Sequence, residues 1–258
     1  MTVLSSRRRR EEIVRLATTA GLASVVELAD TFGVSASTIR RDLAKLEEQR
    51  QLARTYGGAM AHHARTESSL RDRIGEAFEE KQAIARWAAS QVEPGESILL
   101  DAGSTVAALA HELRNRSDLS ITTTSLTALN ELASAEQLTV HCLGGTLRAV
   151  SQGLIGPIAE IALERLSFDR VFLGADSVDA ERGICEANLQ QTRLKELMAR
   201  RAEQVYVLAH GEKLGRRPFH AWAQLPTSRT LVTMAAEADV APFVELGVTV
   251  VNLPRPSS

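Results

Sequence analysis

The sequence predicts a two-part α/β protein: a small helical domain closed by a β-hairpin, followed by a larger domain built on a mostly parallel sheet. Three observations predict it. Short amphipathic segments separated by glycines fill residues 6–61. From residue 76 to 254, brief apolar runs alternate with helical stretches, the pattern of a parallel sheet covered by helices. Charge is also divided unevenly. Residues 1–65 carry 11 Lys/Arg against 7 Asp/Glu, the other 193 carry 19 against 25, and the overall −2 therefore conceals a basic end on an acidic body.

The 258 residues suit two domains, and 44% hydrophobic with 24% charged residues supports a buried core. No apolar stretch approaches the roughly 20 residues of a membrane span. Met1–Arg10 has basic residues but no apolar run behind them, so it does not read as a signal peptide. A cytoplasmic protein without membrane association is expected. Cys142 and Cys185 lie far apart without metal-like spacing; their neighbours predict a buried strand for Cys142 and a strand edge for Cys185, both as reduced thiols. No metal or other cofactor is expected. The basic end points to a polyanion partner.

In the first part, Ile13, Leu16, Ala17 and Ala20 keep helical spacing up to Gly21. Ser24-Val25-Val26-Glu27 has the form of a capping box, and Val25, Leu28, Ala29 and Phe32 supply the apolar stripe of a second helix ending at Gly33. A third helix follows a short turn, with Ser35 as its N-cap. Ile39, Leu43 and Leu46 define its buried side. Ser37, Arg41 and Ala44 then face outward at 100° per residue, with Thr38 and Arg40 on the flanks. Small and hydroxyl residues near a helix N-terminus, followed by arginines, suit entry into a DNA major groove: amides and hydroxyls hold phosphates, and a guanidinium forks onto guanine. The helix-turn-helix is placed at 23–42. Gln51–Ala59 reads as a hairpin wing from which Arg54 and Tyr56 could touch the flanking backbone. Ser35, Ser37, Thr38, Arg40, Arg41, Arg54 and Tyr56 are thus the candidate contacts to double-stranded DNA.

The run Glu27–Leu43, with Thr38-Ile39-Arg40-Arg41-Asp42-Leu43 at its end, followed by Gly57-Gly58-Ala59, resembles the DeoR-type winged helix. That resemblance implies that the third helix is the recognition helix and that the wing closes at the glycines. It covers residues 6–61 almost without gaps. Residues 62–75 contain His62, His63, mixed charges and few large apolar groups, and read as a linker.

In the second part, residues 77–91 read as a helix, with Ile84, Trp87 and Ala88 on one face. Strands are predicted at Ser97–Leu100, Leu119–Thr123, Leu138–Leu143, Arg170–Leu173, Val205–Leu208, Thr230–Thr233 and Val248–Val251. Ligands of such sheets sit beyond the carboxyl ends of strands. The first strand ends at Asp101, before Gly103-Ser104-Thr105. The second ends near Thr124-Ser125, and the third at Gly144-Gly145 with Arg148 nearby. Glycines permit close approach, helix-opening amides favour an anion, and an arginine can pair with a phosphate. Asp101 would repel a phosphate and is assigned to sugar hydroxyls or to bracing its loop.

This region resembles the DeoR-family sensor domain, which shares its fold with ribose-5-phosphate isomerase and CoA-transferase-like proteins. The resemblance rests on Asp101–Thr105, Gly144-Gly145 with Arg148, Phe172–Asp176 and Lys213. It implies a phosphorylated sugar or related metabolite that binds near these residues, Asp176 and Lys213 included, and releases operator DNA. The chain departs from the family's habit at Thr124, at Ser177 and across Ala209–Lys213, where His210 and Glu212 alter charge and hydrogen bonding at the expected pocket rim. Lys195 could reach the pocket, although a helix lysine more often faces solvent. The expected function is a repressor of carbohydrate-metabolism genes, working as a dimer or tetramer because a helix-turn-helix reads two half-sites. The alternative is a sugar-phosphate isomerase or transferase-like enzyme with a DNA-binding appendage, for which Asp101, Asp176, Glu186 and Lys213 offer raw material.

Overall fold

The computed structural model describes residues 5–19, 23–48, 52–55, 58–61 and 67–254. They fall into two compact units, Met1–Thr66 and Glu67–Ser258.

The first unit comprises α1 (Ser6–Thr19), β1 (Ala23–Ser24), α2 (Val25–Phe32), α3 (Ala36–Glu48), β2 (Leu52–Thr55) and β3 (Gly58–Ala61). Ile13, Leu28, Ile39, Leu43 and Leu46 are buried together, with Val25, Ala29, Phe32 and Val34 packed around them. Helix α2 stops where Gly33 takes the left-handed conformation (φ 61°), and the Val34 amide donates back to the Ala29 carbonyl at 3.1 Å. Ser35 Oγ then accepts the Thr38 amide at 3.3 Å and caps α3. Asp42 is buried and pairs with Arg9 Nε at 2.6 Å and Arg10 Nη1 at 3.3 Å, tying α3 to α1. Strands β2 and β3 form an antiparallel hairpin with Leu52 opposite Ala61 and Thr55 opposite Gly58. Strand β1 extends that sheet, Ser24 facing Gly58. Ser24 is thus a strand residue; the side chains of the expected capping box, Ser24 and Glu27, lie outside the described residues.

The second unit opens with α4 (Leu70–Gly75) and α5 (Phe78–Ser90). Then follow β4 (Ser97–Leu100), α6 (Ser104–Leu113), β5 (Leu119–Thr123), α7 (Leu126–Leu132), β6 (Leu138–Cys142), β7 (Thr146–Arg148), β8 (Gly153–Ile155) and α8 (Pro157–Leu163). The rest of the unit is β9 (Phe168–Leu173), β10 (Ser177–Asp179), β11 (Gly183–Glu186), α9 (Leu189–Arg200), β12 (Ala202–Leu208), a 3-10 turn (Gly211–Lys213), β13 (Ala221–Ala223), β14 (Thr230–Thr233), α10 (Glu237–Glu245) and β15 (Thr249–Asn252).

Seven strands make one fully parallel sheet in the order β15-β14-β12-β9-β4-β5-β6. They coincide with the seven apolar runs anticipated above. Successive strand residues serve opposite faces, as a period of two requires. Leu99, Val171, Leu173 and Val207 pack with Leu163, Leu194, Met198 and Phe243 of α8, α9 and α10. Ile98, Leu100, Phe172 and Leu208 pack with Ile84, Ala88, Leu109 and Leu132 of α5, α6 and α7. The chain winds outward from β4 through β5 to β6, then returns to β9 on β4's other side. The carboxyl ends of β4 and β9 therefore form the crevice at which an open α/β sheet takes its ligands.

Three expectations are corrected. The linker expected over 62–75 is too long, because residues 67–75 belong to the second unit: Leu70 is buried, and its amide donates to the Val150 carbonyl at 2.8 Å. The cysteines are the reverse of the expectation. Cys142 is exposed at the end of the edge strand β6, and Cys185 is fully buried in β11, the middle strand of the small antiparallel sheet β10-β11-β13. That sheet and the β7–β8 hairpin were not anticipated, since three- and four-residue strands show no periodicity.

Candidate functional site

On the first unit, Ser35, Ser37, Arg40 and Arg41 are exposed and Thr38 is half-buried, while Ile39, Asp42, Leu43 and Leu46 face inward. The amphipathic reading of α3 places each of these side chains as found. Ser35 Oγ lies 2.8 Å from Ser37 Oγ and 2.9 Å from Thr38 Oγ1, a hydroxyl cluster at the helix N-terminus where phosphate oxygens are favoured. Arg54 lies in β2 opposite Ala59. Tyr56 lies outside the described residues. Sequence reasoning missed Asp42, whose pairing with Arg9 shows that part of the N-terminal arginine run is structural.

On the second unit, a cavity at the β4/β9 switch point is lined by Ala102, Gly103, Ser104 and Thr105 from one side and by Gly174, Ala175 and Asp176 from the other. Arg73, Ser151, Glu186, Gln191 and Lys213 complete it. Its free volume is about 10 Å³, room for about one water molecule. Of the sequence-predicted residues, Gly103, Ser104, Thr105, Asp176 and Lys213 line this cavity, and Asp101 lies directly behind it. The amides of the ten-residue α6 open onto it, a favourable setting for an anion.

Behind the cavity stands a buried charge cluster. Lys195, 2% exposed, donates to Asp101 Oδ2, to the Gly174 carbonyl at 2.9 Å and to Glu186 Oε1 at 3.2 Å. Asp101 also accepts the Gly174 amide at 3.0 Å, which joins the ends of β4 and β9. Asp101 therefore braces its loop, one of the two roles expected for it. Burial works against the Lys195 charge, but Asp101 and Glu186 more than offset it, and the ammonium is held above its ordinary range. Burial raises Glu186 to about 8, with Asp176 and Asp101 reinforcing the shift and Lys195 opposing it. Lys213 donates to the Ala175 carbonyl; burial lowers it to about 8 against the pull of Asp176. His210 is buried and not at the rim, neither ring nitrogen has a hydrogen-bond partner among the described residues, and burial beside Lys213 lowers it to about 3. Glu212 is exposed.

The remaining predicted residues lie elsewhere. Ser125 caps α7, accepting the Ala128 amide at 3.2 Å. The buried Thr124 amide and carbonyl bond the backbone of Leu100 and Leu154, which seats the β7–β8 hairpin on the end of β5. Gly144 is exposed. Gly145 has φ 143°, and an added Cβ would lie 2.6 Å from the Ile155 carbonyl, so hairpin packing alone requires glycine there. Arg148 is held by Glu67 through both guanidinium termini, Nη1 to Oε1 at 2.8 Å and Nη2 to Oε2. Arg73 pairs with Asp176 at 2.8 Å and approaches Glu67 at 3.5 Å. Glu67 and Arg73 fell within the expected linker and were missed. Lys195 carried a usable signal: it lies on the stripe of Gln191, Leu194 and Met198, the buried side of α9.

Residues 9–65 match the family described as the DeoR-like helix-turn-helix domain, and residues 76–234 match the DeoR C terminal sensor domain. The chain is similar to the HTH-type transcriptional regulator GlpR of Haloferax volcanii, with 36% identity over 95% of this chain and 96% of that one. It is 33% identical to the glycerol-3-phosphate regulon repressor of Escherichia coli, over 81% of this chain and 82% of the repressor. Among solved structures, ribose 5-phosphate isomerase A of Methanocaldococcus jannaschii is similar over 53% of this chain and 54% of its own, at 21% identity and a TM-score of 0.40.

Proposed function

We propose, from the premise that this chain belongs to the DeoR family, that it represses carbohydrate-metabolism genes and releases its operator when a phosphorylated sugar or polyol binds the second unit. The observation that carries the DNA-binding half is the exposure of Arg40 and Arg41 beside the Ser35–Ser37–Thr38 hydroxyls, on a helix whose other side is fully buried. Small residues let that end of α3 approach base edges, and a guanidinium there can take guanine O6 and N7 together. Arg54 and Tyr56 serve the flanking phosphates. Reading two half-sites requires at least a homodimer, and a tetramer is equally compatible with this use. The working compartment is the cytoplasm.

The sensing half rests on the residues around the switch-point cavity, which has room for about one water as it stands and widens to admit a ligand. The phosphate takes the α6 amides with Ser104 and Thr105. The carboxylates around the cavity receive hydroxyls. The name of the Escherichia coli relative makes a phosphorylated three-carbon polyol a first ligand to try. Catalysis is not part of this reading: Asp101 and Glu186 are held by Lys195, one oxygen of Asp176 by Arg73, and Lys213 by the Ala175 carbonyl.

The test mixes the full chain with duplex DNA from its own gene neighbourhood, titrates salt, and then adds sugar and polyol phosphates. Operator affinity falls with log salt at a slope near −0.9 per phosphate neutralised, and one ligand releases the DNA. Turnover of a sugar phosphate, or indifference to every duplex at low salt, overturns the reading.

A further inference from the structure

The segment from Glu67 to Gly75 lies where the chain leaves the first unit, and ion pairs together with the buried Leu70 hold it to the second. Glu67 is 6% exposed at its side chain although it belongs to no helix or strand. Its carboxylate spans both terminal nitrogens of Arg148 and reaches Arg73, whose other contact is the cavity carboxylate Asp176. A planar carboxylate shared between two guanidinium groups has the geometry and charge of one face of a phosphate monoester.

The cavity beside it is not satisfied internally. Nε and Nη2 of Arg73, Oδ2 of Asp176 and Oε1 of the buried Gln191 are all enclosed without a hydrogen-bond partner among the described residues. Unmade hydrogen bonds concentrated in one place mark groups awaiting an external partner. The cationic side chains nearby are Arg73, Arg148, Lys195 and Lys213, with Lys81 behind them donating to the Arg73 carbonyl; the anionic ones are Glu67, Asp101, Asp176 and Glu186.

We infer that Arg73 and Arg148 form an anion subsite that Glu67 fills as an internal stand-in, and that an arriving phosphate displaces the Glu67 carboxylate from both guanidinium groups. The inference rests on the sugar-phosphate reading above and adds the residues that read the charge, Arg73 lining the same cavity as Ser104 and Thr105, and the side chain that gives way. An effector bound to Arg73 and Arg148 leaves Glu67 without its partners, while the buried Leu70 and the Arg73–Asp176 pair keep the segment in place. Arg148 then serves the phosphate, as the sequence suggested, but only after exchange.

The test uses the full chain with inorganic phosphate as probe, and binding is followed by calorimetry. Glu67→Gln removes the competitor without changing size. Phosphate is expected to bind the variant about tenfold more tightly, because the fraction of sites free to accept it rises. A Glu67 that merely props the fold predicts the opposite, weaker phosphate binding in the variant, and that result overturns the inference while the phosphate site stands. If phosphate binds neither protein, the phosphate reading and the stand-in fall together. Should Glu67→Gln unfold, Glu67→Asp decides, since the shorter carboxylate cannot span both nitrogens; tighter phosphate binding supports the stand-in and unchanged or weaker binding overturns it.

Discussion

Lys195→Met is the sharpest perturbation of the second unit. It keeps a flexible apolar stem in the helix stripe and deletes only the ammonium. In the wild type that group holds two carboxylates, Asp101 and Glu186, which are about as buried as itself. Removing one partner of a buried ion pair typically costs about 3–5 kcal/mol, because the survivor stays desolvated and unpaired. Here the cost divides unequally. Glu186, raised to about 8, is already mostly protonated at pH 7, and without the lysine that opposed the shift it stays so. Asp101 keeps the Gly174 amide at 3.0 Å but loses its countercharge. The expected loss therefore sits near the lower end, about 3 kcal/mol, a shift of about 1 M in the urea midpoint for an m-value of about 3 kcal/mol/M. Both tryptophans, Trp87 and Trp222, lie in the second unit, so their fluorescence follows that unit alone. A midpoint within about 0.2 M of wild type would refute the reasoning.

Other outcomes are expected on the same grounds. Arg41→Ala, at an exposed position, leaves the melting of the protein unchanged but costs ~1–3 kcal/mol of operator binding per half-site, read by fluorescence anisotropy; unaltered affinity removes α3 from the groove. Ser104→Glu retains operator binding but loses release by the effector, since a carboxylate at the start of α6 repels an anion; a normal response moves the phosphate elsewhere. For His210 the folded value, about 3, lies below the ordinary 6.5, so its contribution is present above pH 6.5 and is lost as pH falls towards 3. His210→Gln is therefore expected to flatten the acid limb of the urea-midpoint curve across that window. Glu186 acts in the other direction. Its folded value, about 8, exceeds the ordinary 4.5, so its contribution is complete below 4.5 and fades as pH rises to 8. The Lys195→Met variant, which pushes Glu186 higher still, extends that fading to more alkaline pH.

The legible parts share one property: they are set by periodicity. Ile39, Leu43 and Leu46 at helical spacing oriented α3 and so exposed Arg40 and Arg41 without reference to any other element. The inner strands β4, β5, β9, β12 and β14 end in buried, largely apolar runs because both faces of a covered parallel sheet are dry there. The charged groups are different. Glu67, Arg73, Asp176, Glu186 and Lys195 come from three elements and two connecting segments, and nothing in the order of residues says which acid meets which base. A charge cluster buried in low dielectric forms only when the chain has closed around it, and its members read one by one as ordinary surface residues.

The amino-acid order by itself determined the two domains, the exposed side of α3 and the seven parallel strands, all of which depend on local spacing of apolar side chains, and its motifs carried the family. Only the tertiary structure decided that Lys195 is the buried hub of the second unit, that Arg148 answers to Glu67, and that residues 67–75 are part of the second unit. Those outcomes depend on long-range pairing, where the cost of stripping water from a charge is repaid only by a partner that the fold itself brings within reach.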